Sequence, residues 1–347
     1  MFAFVLVGVV GLLFLYSCYG SWRVERDYPP LGRFLEIDGI RLHFVEAGQG
    51  PPIVFIHGAS TTLRDFVASL FPLLARKYRV VAFDRPGYGY SERPGGAWLE
   101  PARQAALIAG ALKAIGVEEP VLVGHSWSGS LVLAYLMDNP QQVAGGVLLS
   151  GVSHPWEGGV AWVRRAAGVP LAGDLFARTF VYPVGRLLLD RSVAEVFAPE
   201  PVPTRYVERT GIALALRPRS FLADAEDVRG LSAYLRQQSQ RYAEIDQPLL
   251  LITGDADHVV PPSNHAERLI KQVPDAELVY LENAGHAFHH TRPERVAALI
   301  GNFAERVNGR GKCAKGEQTA EEIEGGMTRR TPRLHLGSER RRPSAPG

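Results

Sequence analysis

Two cysteines in 347 residues are too few for a disulfide framework or a cysteine-held metal centre, and they stand far apart, Cys18 in an apolar leader and Cys313 in the tail. They leave the redox compartment open. Excess charge is lacking as well. The formal net charge is +2, and residues 309–347 alone hold nine Lys/Arg against five Asp/Glu, so the rest of the chain carries 29 against 31. A nearly neutral body excludes the basic footprint of a nucleic-acid binder, and no nucleic-acid partner is expected.

Charge is missing altogether before Arg23, and the run FAFVLVGVVGLLFLY from Phe2 to Tyr16 has no polar face. A spanning helix needs about 20 mostly apolar residues, which Phe2 to Trp22 supplies, with Tyr16, Tyr19 and Trp22 as an aromatic belt. A single-pass N-terminal membrane anchor is expected, with a cleaved signal peptide and secretion as the alternative. Cys18 matches a lipoprotein cleavage box poorly because of Tyr16. Arg23, Arg26 and Arg33 follow the segment and none precedes it, which by the positive-inside rule leans toward the rest of the chain lying on the cytoplasmic face.

From Arg33 onward the pattern changes to strands. RFLEIDGIRLHFVEAG alternates around Asp38-Gly39, a turn dipeptide, and predicts an antiparallel hairpin. Strands follow at Ile53 to Ile56, Val80 to Phe83, Val121 to Val123, Val147 to Leu149, Leu249 to Ile252 and Leu278 to Leu281. Helical stretches near Leu63 to Lys77, Pro101 to Ile115, Ser128 to Asp138, Ser263 to Gln272 and Pro293 to Val307 alternate with them. Strands apolar on both faces, alternating with helices, predict an α/β fold with a mainly parallel sheet flanked by helices. The alternation is absent between Ser153 and Asp246, where Pro170, Pro183, Pro199, Pro201 and Pro203 punctuate helical stretches. This interval is expected to be a helical cap insertion. The resulting division is a membrane segment at 1–22, core at 23–152, cap at 153–246, core again at 247–308, and a disordered tail at 309–347 that could also touch lipid or nucleic acid through its arginines.

Chemistry concentrates in three turns. GHSWSG, residues 124–129, sits between the strand Val121 to Val123 and the helix from Ser128, as the strained turn called a nucleophile elbow does, although the usual G-x-S-x-G pattern here ends in Ser128. By itself this leaves open an ordinary strand-to-helix turn. A serine needs a base, and the base needs a carboxylate. After Leu249 to Ile252 comes TGDADHVVPP, and after Leu278 to Leu281 comes ENAGHAFHHTRPE. Loops at the carboxyl ends of parallel strands converge on one sheet edge, so Ser126, Asp257 and His286 are expected to meet there.

These segments together resemble a serine hydrolase of the α/β-hydrolase superfamily, esterase- or lactonase-like, over roughly residues 33–307. The resemblance favours Asp257 over Asp255 through Gly254, Val259 and Pro261, and His286 through Gly285. It leaves His289 and His290 as wall or helix-start residues, with a metal site from His286, His289 and His290 as a weaker alternative. It implies no cofactor and no metal. It implies an oxyanion hole from the backbone amides of Ala59, in HGAST, and Trp127, with His57 structural and Asp84 in DRPGYGYSERP marking the fold alone. Relatives resembling haloalkane dehalogenases and epoxide hydrolases carry aspartate at the elbow; Ser126 implies acyl chemistry on a carboxylic ester, lactone or thioester. Trp127, Trp156 and Trp162 suggest an apolar pocket for an apolar small-molecule ester. Two other readings stay open: a membrane-tethered binding protein on a hydrolase fold, and a lyase or perhydrolase using the same three residues.

Overall fold

The computed structural model describes residues 2–94 and 98–309; the expected tail lies, from residue 310, outside the described residues. Eight strands form one sheet in the order β1-β2-β4-β3-β5-β6-β7-β8. The first two, β1 (Arg33–Ile37) and β2 (Ile40–Ala47), form the antiparallel hairpin. Its turn works because Asp38 and Gly39 take φ of 52° and 73°, which a two-residue hairpin of this hand requires. β2 runs antiparallel to β4 (Arg79–Phe83), and β3 (Pro52–Ile56), β5 (Val121–His125), β6 (Gly145–Leu149), β7 (Leu249–Gly254) and β8 (Ala276–Leu281) are parallel.

The strands read as continuous apolar runs because both faces are covered. Val54, Ile56, Leu122 and Leu251 turn into one core with the helices Pro101–Ala114 and Ser128–Asp138, while Ile53, Phe55, Val123 and Ile252 turn into a second core with Val296, Ile300 and Phe303 of the helix at 293–309. Two expected helices are shorter than the sequence pattern suggests. Leu63 to Lys77 is two single turns, Arg64–Val67 and Phe71–Leu74, broken ahead of Pro72, and only Ala266–Leu269 of the stretch from Ser263 is helical.

Between β6 and β7 the chain makes no strand. It forms the helices Trp162–Ala166, Ala172–Phe176, Tyr182–Phe197, Tyr206–Thr210 and Pro218–Gln238, with a π-helical turn at Ala177–Val181 joining the second to the third. At the other end, helix α1 (Phe2–Asp27) is long and apolar enough to cross a membrane by length and composition, as an anchor or as a signal sequence. Its last turns are docked. Val24 is buried with Tyr182, Ala213 and Leu214, Glu25 meets Arg217 at 2.8 Å, and Tyr16 sets its ring edge-on to Tyr182 at 5.9 Å.

Candidate active site

The carboxyl ends of β5, β7 and β8 point to one edge of the sheet, and the loops that follow them carry Ser126, Asp257 and His286. At the first loop, Ser126 takes φ of 53°, a left-handed conformation that costs a non-glycine residue about 1–2 kcal/mol. The turn is held by hydrogen bonds from the Ser126 amide to the Leu149 carbonyl, and from the Gly129 and Val152 amides to the Ser126 carbonyl. The close approaches fall on Gly124, where an added Cβ would sit 2.6 Å from the Ser128 carbonyl oxygen, and on Gly129, where one would sit 2.7 Å from Cα of Gly151. The Ser128 backbone is crowded against β5, while its side chain turns the other way and has room. Its hydroxyl is buried and donates to the His57 carbonyl at 2.5 Å, tying this turn to the loop after β3.

That loop is stiffened from beneath. His57 accepts the Arg85 amide on Nε2 and so carries its proton on Nδ1, 2.8 Å from the Gly58 carbonyl. Burial, reinforced by the Arg85 charge, brings the His57 imidazole down to about 4, so it stays neutral and structural. Ala59 and Trp127 both border the cavity at Ser126, and among the described residues neither backbone amide is spent on an intramolecular hydrogen bond. Two free N–H groups beside one serine can receive an oxygen that becomes negative.

Asp257 and His286 come together at 2.8 Å, Oδ2 to Nδ1. The other oxygen, Oδ1, accepts the amides of Val259 and Val260 at 2.9 and 2.8 Å. Burial pushes the Asp257 carboxyl up, but the adjoining His286 and the Val260 amide outweigh it and hold it below the usual carboxylate range. An ionised Asp257 fixes the tautomer of His286 with Nδ1 protonated. Nε2 is left with no hydrogen-bond partner among the described residues. Asp255 is exposed and makes no such contact.

His289 and His290 do not join His286. Both direct Nε2 to the buried Asp65, at 3.0 and 2.7 Å, and hold its carboxyl well below the ordinary range against the effect of burial. Asp65, His289 and His290 bring their ligand atoms within 4.8 Å of one another, so among the described residues this trio, rather than one containing His286, is close enough to share an ion. Asp84 anchors the fold by accepting His43 Nδ1 at 2.6 Å and the amides of Leu63 and Tyr90 at 2.8 and 2.9 Å.

Sequence reasoning passed over Arg85. It is fully buried, donates to the His57 and Gly58 carbonyls and to Gln104, pairs with Asp227, and lies 3.9 Å from the Trp127 ring centroid. A buried guanidinium needs a buried carboxylate, and Asp227 stands 142 positions away on the helix Pro218–Gln238. The charged residue after the apolar run of β4 was a signal, but nothing in the sequence pattern marks its partner.

The tryptophans do not make one apolar pocket. The cavity at Ser126, about 810 Å³, is bordered by Trp127 and Trp156 but also by Arg164, Arg236, Asn264, His265 and Arg268. Trp162 borders a second cavity of about 560 Å³ whose walls are mostly apolar and come mainly from the helices between β6 and β7.

Residues 51–293 match the family described as alpha/beta hydrolase fold. The chain is 28% identical over 289 residues to haloalkane dehalogenase 2 of Mycobacterium tuberculosis, covering 79% of this chain and 94% of that one. It is also 28% identical over 288 residues to the 2-hydroxymuconate semialdehyde hydrolase of Pseudomonas putida, with coverage of 79% and 94%. Among solved structures it resembles Est816, described as an N-acyl homoserine lactone degrading enzyme, with a TM-score of 0.61, 26% identity, and coverage of 78% of this chain and all of that one.

Proposed function

Since the chain belongs to the alpha/beta hydrolase fold family, we propose that it is a serine hydrolase that cleaves a carboxylic ester, lactone or thioester through an acyl-enzyme on Ser126. The observation that carries this reading is the φ of 53° at Ser126 beside the unspent amides of Ala59 and Trp127, with the Asp257–His286 pair at 2.8 Å on neighbouring loops of the same edge. A left-handed serine stores strain that a plain turn would avoid with glycine.

In this mechanism Nε2 of His286 takes the Ser126 hydroxyl proton as Oγ attacks the acyl carbon. The carbonyl π electrons move to oxygen, and the amides of Ala59 and Trp127 receive that oxyanion. Collapse breaks the bond to the leaving oxygen or sulfur, which takes the proton from His286 and departs as the alcohol or thiol, or stays tethered to the acyl group when the substrate is a lactone. Water then attacks the acyl ester with His286 again as base, releasing the acid and restoring Ser126. Ionised Asp257 stabilises the transient imidazolium. The dehalogenase likeness does not extend to alkyl-ester chemistry, because Ser126 stands where that chemistry needs a carboxylate. The likeness to a lactone-degrading enzyme favours acyl substrates.

The helices between β6 and β7 act as a cap over the site, and α1 remains attached as a membrane anchor. The test is labelling of the full chain with a fluorophosphonate probe, followed by peptide mapping. The label is expected on Ser126 and lost in Ser126→Ala and His286→Ala. Label elsewhere, or none on a folded chain, would reject the assignment.

A further inference from the structure

The helices between β6 and β7 carry an apolar surface that no part of the described chain covers. Phe176, Phe180, Val184 and Leu188 recur every four residues through the π-helical turn and the helix Tyr182–Phe197, which places them on one face. All four line the apolar cavity, and the last three are also exposed at the surface. Trp162 packs its ring against Phe176, Leu187 lies on the helix of Val184 and Leu188, and these two and Leu171 of the same insertion are exposed by 64%, 85% and 90%. Scattered exposed leucines need no explanation, but a contiguous group with a groove in it marks a site for an apolar partner.

Which partner follows from α1. The same helical run that bears this stripe receives α1 on its other, buried side, since Tyr182 stands two residues from both Phe180 and Val184. Tyr182 packs edge-on against Tyr16, and Gly20 lets the two helices close, since an added Cβ there would stand 1.9 Å from the Tyr182 ring. The part of α1 beyond this contact is apolar and exposed, with Phe4, Val7, Leu12 and Leu15 all bare. A helix that enters a bilayer at Tyr16 and Tyr19 brings the residues packed beside it to the interface. Held next to the bilayer by α1, the run turns its other, apolar side outward, where lipid can cover it without a soluble protein partner.

The groove also reaches toward the serine. Arg164 and Val259 border both the apolar cavity and the cavity at Ser126. Arg164 is fixed there by Asp224 at 3.0 Å and by the Ser60 hydroxyl at 3.2 Å, one residue past Ala59. A long acyl chain lying along Phe180, Val184 and Leu188 would present its carboxyl end to this junction.

We propose that the face formed by Phe176, Phe180, Val184 and Leu188 rests on the bilayer that holds α1, and that its groove admits one acyl chain of a membrane lipid ester for cleavage at Ser126. The proposal rests on the acyl-enzyme reading and on retention of α1. It makes the substrate a lipid taken from the bilayer rather than an ester captured from water.

The test uses the full chain in vesicles of equal phosphatidylethanolamine and phosphatidylglycerol. Leu171→Glu/Leu187→Glu changes two bare side chains outside the site. It is expected to lower hydrolysis of the vesicle phospholipid by about tenfold while leaving hydrolysis of soluble p-nitrophenyl butyrate unchanged. Val184→Phe and Leu188→Phe, which narrow the groove, are expected to lower the ratio of p-nitrophenyl palmitate to p-nitrophenyl butyrate turnover. Equal rates on long and short esters in every variant would overturn the proposal.

A second measurement does not depend on turnover. In Ser126→Ala the Trp162 fluorescence, isolated by difference from Ser126→Ala/Trp162→Phe, is expected to be quenched by brominated acyl chains in the vesicle and shielded from iodide in water. Quenching by iodide alone would place this face in water and end the proposal. Correct quenching with no ester hydrolysis would instead reject the acyl-enzyme reading and leave the bilayer contact standing.

Discussion

Arg85 and Asp227 meet at 2.5 Å with neither side chain exposed, joining the segment after β4 to a helix inserted between β6 and β7. The pair sets one guanidinium beneath both the His57 and Gly58 carbonyls and the Trp127 ring. The same charge pair therefore supports the loops that carry both amides of the candidate oxyanion hole. Removing one partner of a buried pair leaves the other charge uncompensated, a loss of about 3–5 kcal/mol. Arg85→Met is expected to fall in this range by urea denaturation. Arg93→Met should lose less, because Asp227 would keep Arg85 and Gln104.

Replacement of the strained serine separates strain from chemistry. Ser126→Ala and Ser126→Gly should both lose on the order of 10⁶-fold in kcat if Ser126 is the nucleophile. Only glycine relieves the left-handed backbone at this position, so Ser126→Gly should be about 1 kcal/mol more stable than Ser126→Ala by urea denaturation. Equal stabilities would contradict the backbone geometry at the elbow.

Ser128 is more than a small filler. Its hydroxyl contact with the His57 carbonyl predicts that Ser128→Ala costs about 1 kcal/mol and lowers kcat/KM modestly, while Arg85 continues to hold the same carbonyl. Ser128→Gly should cost at least as much. Steady-state kinetics beside thermal melts would show whether the tie matters for rate, for stability, or for both.

Acid should unfold the protein from just below neutrality. Burial brings His57, His154 and His265 each down to about 4 in the folded chain, from an ordinary value near 6.5. Between those limits the unfolded chain binds more protons, so stability rises with pH across this window and is complete above it. Each group contributes a slope of up to about 1.4 kcal/mol per pH unit. Asp65, Asp84 and Asp257, held below their ordinary range, add losses of the same sign at lower pH. Calorimetric melts at constant ionic strength should show Tm climbing from pH 4 to pH 7, and a flat profile would contradict the buried neutral state of these histidines.

Much of the architecture was legible because it is local. A strand covered on both faces must be apolar throughout, a two-residue hairpin needs Asp38 and Gly39 or their like, and an uncharged leader of this length has few fates. Chain order and small-residue turns marked Ser126, Asp257 and His286 as candidates, since loops at one end of parallel strands must share an edge. The sequence by itself therefore determined the kind of sheet, the side on which chemistry could gather, and the extent of the apolar leader.

Partnership across long separations was decided only in three dimensions. Asp227 for Arg85, Asp65 for His289 and His290, and the His57 carbonyl for Ser128 leave no periodic trace, because a buried polar group needs a partner in space and any distant residue can supply it. The tryptophans were misread as one pocket for the same reason: a side chain's type does not say which cavity it borders. Nothing in the composition of the leader marks Gly20, and only its packing on Tyr182 gave α1 a fixed place against the inserted helices.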